Sequence, residues 1–318
     1  MTMLKIEDFH KDHIKNAKEI ALANYNEEKS NVTILPYIES IPDDDFESFA
    51  DNGLGVSAFD GDNMVGFLCS VNPFENAFGS SQKGVFVPMG AHGAINKNRD
   101  DIYAQMYQSA AKKWVCAGAV SHAICLYAND EQTQARFFRY GFGLRCVDAI
   151  RTMDLISCKP SVGYEFSELL PSEYNSVYPL FSLLNEHYAK SPFFMNRELM
   201  PIEEFTESCG RIFVAKYKGE LCAITNIVDS GETFIATGEK YLHCSDTFCI
   251  EKHRGNTVSQ NLLNYIISTL KDEGVTHLGV DFESLNPNAY GFWLKYFIAY
   301  AHSVVRRVDD NILDFTNG

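Results

Sequence analysis

The sequence predicts an α/β chain, more closely α+β, of two domains on one plan, each a mixed, mostly antiparallel twisted sheet flanked by helices. Three observations predict it. Helical and strand periods alternate along all 318 residues. The same order of elements occurs twice, displaced by roughly 160 residues, which marks a duplicated domain. Between the two runs lies 157–163, where Pro160 and Gly163 punctuate a stretch with no period. With 46% hydrophobic residues, the chain can bury two cores. The boundaries expected from this reading are a first domain over 1–157, a linker over 158–163 and a second domain over 164–318.

In the first half, an amphipathic helix is expected over 10–26 and a short helical pattern over 44–50. Residues 54–59 and 64–71 are apolar strands joined by Asp60, Gly61, Asp62 and Asn63, a turn of the kind that closes a hairpin. A strand follows at 84–88, then a long helix at 99–117 with Ile102, Met106, Ala110 and Trp114 on one face. A strand at 122–127, a helix at 131–140 stopped by Gly141 and Gly143, and a strand at 147–155 complete it. The second half repeats the order. It has a strand at 164–168, a helix at 172–189 with Ser172 as its cap, a short helix at 202–209, and strands at 212–217 and 221–228 around Gly219. A strand at 233–237 and a long one ending at Ile250 follow. The half closes with a helix at 258–273, a strand at 277–282, a helix at 287–296 and a strand at 302–308.

Composition excludes several classes of function. A net charge of -15 repels a phosphate backbone, so nucleic acid is an unlikely partner and small cationic molecules match better. Lys5, Glu7, Asp8, Lys11 and Asp12 leave no apolar segment for a signal peptide near the start. No apolar run reaches the roughly 20 residues needed to span a bilayer. The nine cysteines are odd in number, form no C-x-x-C pair and lie mostly in apolar runs, which favours reduced thiols in a cytoplasmic protein. The scattered histidines form no metal set. Phosphate-loop, serine-elbow and H-E-x-x-H motifs are all missing. Oligomeric state is left open.

The residues that carry chemistry lie in the second half. The strand ending at Thr247, Phe248, Cys249 and Ile250 runs through Arg254 and Gly255 into a helix. Successive backbone N–H groups at such a helix start point into one concavity, where the helix dipole also favours an anion. Small residues are needed there so that no side chain stands between backbone and ligand. This element is similar to the signature of the GNAT N-acetyltransferase superfamily, R/Q-x-x-G-x-G/A between a strand and a helix, most closely at Arg254, Gly255, Leu262 and Leu263. A second landmark, from Asn286 through Ala289 to Phe292 and Trp293, resembles the family's N-x-x-A-x-x-F-Y element.

The resemblance implies a tandem two-domain member with an acetyl-CoA site in the second domain. Arg254, Gly255, Asn256, Thr257, Val258 and Ser259 would hold the pyrophosphate. Thr257 and Ser259 stand where the family has Gly or Ala; their hydroxyls can donate to phosphate or cap their own helix. The main chain of Phe248, Cys249 and Ile250 would face the pantetheine and thioester, with Asn286 and Trp293 beside the pantetheine arm. Trp293 replaces the tyrosine that acts as general acid, so Tyr290 or Tyr296 is the substitute. For the base the candidates are Asp246, His243, Asp281 and Glu283. Asp246 is preferred because a carboxylate next to a partly dry cleft can have a raised pKa and act through water, and strand alternation puts it on one face with Phe248. His253 reads as packing or surface.

The first half carries a worn version. Met89, Gly90, Ala91, His92, Gly93 and Ala94 lack the Arg-Gly pair, an insertion over 95–100 separates them from the helix, and Phe137 or Phe138 takes the tyrosine position. The implied activity is transfer of an acetyl group to the amine of a small molecule. Two other readings share the same residues: an acyl-CoA-binding or sensing module without transfer, and a tandem aminoacyl or other acyl transferase.

Overall fold

The computed structural model describes residues 4–42, 45–238 and 240–316, with the side chains of 315 and 316 outside the description. Asp44, the expected start of the second helix, lies outside the described residues. The chain forms two compact units, one of Met1–Asp148 with Ala299–Gly318 and one of Ala149–Ile298. Each has mostly antiparallel strands flanked by helices.

In the first unit, β1 (Lys5–Asp8), β2 (Val56–Asp60), β3 (Asn63–Leu68) and β5 (His92–Ala94) form one antiparallel sheet in that order, with α1 (Ile14–Asn31) and α2 (Phe46–Asp51) between β1 and β2. Between β3 and β5 comes β4 (Gly84–Val87), which pairs in parallel with β6 (Ser121–Tyr127). Helix α3 (Arg99–Cys116) precedes β6, and α4 (Glu131–Arg139) separates it from β7 (Gly143–Thr152), within which the unit boundary falls. Glycines allow the helices to approach the sheet. A Cβ on Gly66 would meet Ile102 and Met106 of α3 at 2.9 and 3.1 Å, and one on Gly93 would meet Ile20 and Asn24 of α1 at 2.9 and 3.0 Å.

In the second unit, β8 (Tyr164–Glu168), β9 (Arg211–Tyr217) and β10 (Glu220–Val228) run antiparallel. Helices α5 (Tyr178–Ala189) and α6 (Ile202–Ser208) lie between β8 and β9 in sequence. Strand β11 (Tyr241–Cys249) pairs antiparallel with β10 and parallel with β12 (His277–Glu283), the two being joined by α7 (Val258–Asp272). Helix α8 (Pro287–Tyr296) follows. The chain then enters β13 (Ile298–Arg307) and the short α9 (Leu313–Thr316).

Apart from shifted element ends, as in α1, β7 and β13, four features differ from the sequence expectation. The helix expected from 172 begins at Tyr178, preceded by a 3-10 turn, Pro171–Val177. Pro179 explains this, because a proline is tolerated in the first turn of a helix and breaks its interior. The segment expected as a strand at 233–237 is a 3-10 turn, Phe234–Ala236. The short strands β1 and β5 had no separate sequence signal. Lastly, β13 pairs with β6, from Ala301 opposite Tyr127 to Arg307 opposite Ser121, so it belongs to the first unit rather than to a segment running from 164 to 318.

Candidate functional site

The site is built where β11 and β12 part. Their parallel register runs only from Tyr241 opposite His277 to Cys244 opposite Val280. Beyond it, β11 keeps its pairing with β10 alone, from Thr225 opposite Thr247 to Ala223 opposite Cys249. The register shifts between Thr225 and Ile227, so Ser245 and Asp246 together face Asn226, a bulge that turns the strand away from β12. The N–H of Ile250 donates to the carbonyl of Cys222 at 2.9 Å. In an antiparallel ladder successive N–H groups alternate between sides. The N–H groups of Thr247 and Cys249 therefore face the gap, and those of Phe248 and Ile250 face β10.

Into this gap opens a cleft of about 270 Å³, with Phe248, Cys249, Phe282 and Trp293 along its walls. At one end stands the start of α7. The first helical bond is from the N–H of Asn261 to the carbonyl of Thr257. None of the N–H groups of Gly255, Asn256, Thr257, Val258, Ser259 and Gln260 donates within the described residues. Gly255 has a φ of +80°, and a Cβ placed on it would meet nothing within 4 Å. A left-handed residue lets the chain turn its amides inward. Arg254 donates through Nε to the carbonyl of Cys249 at 2.9 Å, its guanidinium 5.6 Å from the centre of the Phe248 ring.

Of the residues expected from sequence, Phe248, Cys249, Arg254, Gly255, Ser259, Asn286 and Trp293 line this one cleft. Asn286 accepts from the N–H groups of Asn288 and Ala289 through Oδ1, which leaves Nδ2 for a ligand. Trp293 is buried against Phe292 and Phe297. Ile250, Asn256, Thr257 and Val258 are adjacent in sequence but outside the lining. Thr257 spends its hydroxyl on the carbonyl of Lys159 at 3.0 Å, and the carbonyl of Asn256 accepts from Ser161 at 2.9 Å, so both fasten the loop to 159–161. Tyr290 stands edge-on to Phe282 and Tyr296 to Phe292; neither lines the cleft. His253 is packing, its Nδ1 2.9 Å from the Tyr164 hydroxyl.

Asp246 is engaged by Arg197, whose two terminal nitrogens both lie 3.2 Å from Oδ1, and it too is outside the lining. The carboxylate that lines the cleft is Asp281. His187 and Gln260 also line it without having been singled out from the sequence, as does Tyr188, one of the aromatics of 172–209 that fit a pocket or a core equally well. Burial, reinforced by the charges of Arg254 and Lys190, lowers the pKa of His187, against the pull of Glu251. Burial raises the pKa of Tyr188, and the Arg197 guanidinium over its ring opposes that rise. Burial also raises the pKa of the Cys249 thiol, against a hydrogen bond with Ser259 and the nearby Arg254.

Residues 174–297 match the family model of the acetyltransferase (GNAT) family. The second unit carries a GNAT acetyltransferase domain. Along its whole length the chain resembles a GCN5-related N-acetyltransferase from Sphaerobacter thermophilus, with 11% identity, a TM-score of 0.57 and coverage of 96% of this chain and 95% of that one. It also resembles the GCN5-related glucosamine N-acetyltransferase region of a fungal multi-domain GH3 β-N-acetylglucosaminidase, with 12% identity and a TM-score of 0.52. There it covers 96% of this chain and 38% of the other. At such identities the likeness is one of fold. Among curated proteins none matches the sequence. Among the described residues no helix is long and apolar enough to cross a membrane, and no cluster of three or more His, Cys, Asp or Glu could hold a metal ion in the GNAT domain or outside it.

Proposed function

We propose that the second unit transfers an acyl group, acetyl in the simplest case, from acyl-coenzyme A to the amine of a small molecule. The observation that carries this reading is the coincidence, in one cleft, of parted strands with inward N–H groups and a helix start whose N–H groups have no internal acceptor. An extended donor with an anionic head and an apolar arm fits that pair of features. The amides of 255–260 and Arg254 would bind the pyrophosphate. Phe248, Phe282 and Trp293 would flank the pantetheine, with Nδ2 of Asn286 donating to it. Acyl-coenzyme A supplies an activated carbonyl on a thiol leaving group.

The chain's own residues then act on that carbonyl and on the acceptor. The N–H of Cys249 faces the gap and would polarise the carbonyl oxygen. Asp281 would take the proton from the acceptor ammonium, being the carboxylate that reaches the cleft, while Asp246 is held by Arg197. A thiol ionises near pH ~8.5, so it can leave as thiolate without a proton from a tyrosine. The acidic surroundings of Asp281, Asp246 and Glu283 suit a cationic acceptor such as a polyamine or an aminoglycoside, and cysteines that form no disulfide among the described residues suit a reducing, cytoplasmic setting.

Isothermal titration with acetyl-CoA tests the reading, with saturable binding as the expected result. No binding at millimolar donor would overturn it. A second reading, binding without transfer, rests on Trp293 at the tyrosine position and on Tyr290 and Tyr296 lying outside the lining. It expects the same titration but no acetylated product from a screen of amines.

A further inference from the structure

His243 stands behind the cleft, 2% exposed on β11. Its Nε2 lies 2.7 Å from Oδ1 of Asp281 and 3.1 Å from the backbone N of the same residue. Its Nδ1 lies 3.3 Å from the hydroxyl of Tyr241. The ring occupies a slot between two glycines. A Cβ on Gly231 would come within 2.6 Å of Nδ1 and 2.8 Å of the Ala236 Cβ, and one on Gly279, directly opposite His243 on β12, would overlap the Tyr241 hydroxyl and come within 2.8 Å of Nδ1. Neither glycine has the left-handed φ that would itself call for glycine. Room for the imidazole is the physical reason at Gly231, and room for Tyr241 together with the imidazole at Gly279.

We propose that His243 is a positioning residue for acyl transfer: it fixes the Asp281 carboxylate toward the cleft and shares the proton that this carboxylate takes from the acceptor. The inference rests on the reading of the cleft given above. In the step, the acceptor ammonium loses a proton to Asp281, and the freed lone pair forms the C–N bond. The C–S bond breaks and its electron pair leaves on sulfur; the second N–H proton, shed by the acylated nitrogen, goes to that thiolate, while the first is held by Asp281. The proton lies between Oδ1 and Nε2 until it passes to solvent through Asp281, whose side chain is 33% exposed.

Ionisable groups around the pair include Tyr241 and Cys244 on the same strand, Tyr188 on α5, Asp246 and Glu283, whose charges also reach Tyr188, and Arg151, whose charge reaches Cys244. None of them lies between Nε2 and the carboxylate. Tyr241 and Asp281 make further contacts of their own. The slot fixes the imidazole side of the pair.

The test compares His243→Leu, which fills the slot without a donor, with His243→Gln, whose amide nitrogen can reach the Nε2 position. The leucine variant is expected to lose kcat by about 10²-fold, the lower end of a general-base contribution, with KM and calorimetric affinity for acetyl-CoA unchanged. Glutamine is expected to restore kcat to within about tenfold of wild type. In an Asp281→Asn background, His243→Gln is expected to cost nothing more, because residues acting as a unit are non-additive. Equal losses in both variants, a change confined to acetyl-CoA affinity, or full additivity in the double variant would each overturn the proposal. If the leucine variant fails to fold, the glutamine and asparagine cycle decides alone. A wild-type protein that binds no acetyl-CoA would instead overturn the underlying reading of the cleft.

Discussion

Ala94 and Cys249 occupy the same place in two copies of one strand pair. After each, the next N–H donates at 2.9 Å to the equivalent carbonyl of the neighbouring strand, Ile95 to Val65 and Ile250 to Cys222. In the second unit the N–H of Cys249 faces an open cleft. In the first unit Asn24 of α1 takes both backbone groups of Ala94, its Oδ1 accepting from N and its Nδ2 donating to O, each at 3.0 Å. The rest of the first gap is filled as well. His92 bridges it, with Nε2 2.7 Å from the carbonyl of Cys125 and Nδ1 2.7 Å from the Tyr103 hydroxyl. Glu28 of α1 accepts from the N–H and the side-chain amide of Asn129.

The helix starts differ in the same sense. Both caps are left-handed, Asn98 at φ 57° and Thr257 at φ 58°. In the first unit, however, Asp100 and Asp101 fill the first turn and pair with Arg136 at 2.7 and 2.8 Å. Carboxylates already sit where an anionic ligand would bind. By register, the places of Asp281 and His243 are taken by Cys125 and Phe86. The same backbone therefore becomes a cleft or a core according to whether side chains satisfy its parted strands.

This comparison can be broken most directly at the base. Asp281→Asn is expected to lower kcat by at least ~10²-fold, whereas Asp246→Asn should change it only a few-fold; steady-state kinetics decides, and the reverse order would restore Asp246. Next in size is the cofactor loop. Gly255→Val should weaken acetyl-CoA binding by at least ~10-fold, about 1.4 kcal/mol, while Gly93→Val should leave one site per chain; titration showing two sites in the wild type would show the first gap to be open.

In the first unit, Asn24→Leu should cost about 2 kcal/mol by leaving Ala94 unsatisfied, read as a lower Tm with acetyl-CoA affinity unchanged. A pH-dependent effect is expected at Glu28, whose pKa desolvation raises from 4.5 to about 7. The folded state therefore holds that proton more tightly than the unfolded chain. Stability should be fullest below pH 4.5 and fall as the pH rises to about 7. Glu28→Gln should flatten that part of the Tm profile.

The loop and its neighbours were legible in the sequence because their requirements are local. Arg254 and Gly255 stand between a strand and a helix, and small residues follow. Asn286 and Trp293 were found at a recognisable spacing. Which carboxylate reaches the cleft was less legible, because the preference for Asp246 relied in part on unbroken alternation. The bulge at Ser245 and Asp246 interrupts that alternation and lets Asp281 of the next strand face the cleft instead. The pairing of β13 left no local trace either, since a strand has the same period whichever sheet receives it. Pro179 and the 3-10 turn at 234–236 show the smaller failures of period, where backbone chemistry decided.

Strand β13 also bears on how the protein is made. The strand that completes the first unit emerges from the ribosome long after β6, its partner, and only once the GNAT domain has been synthesised. Until then β6 offers an unpaired edge from Ser121 to Tyr127, a template for wrong partners. Expressing residues 1–157 alone would make that waiting state permanent.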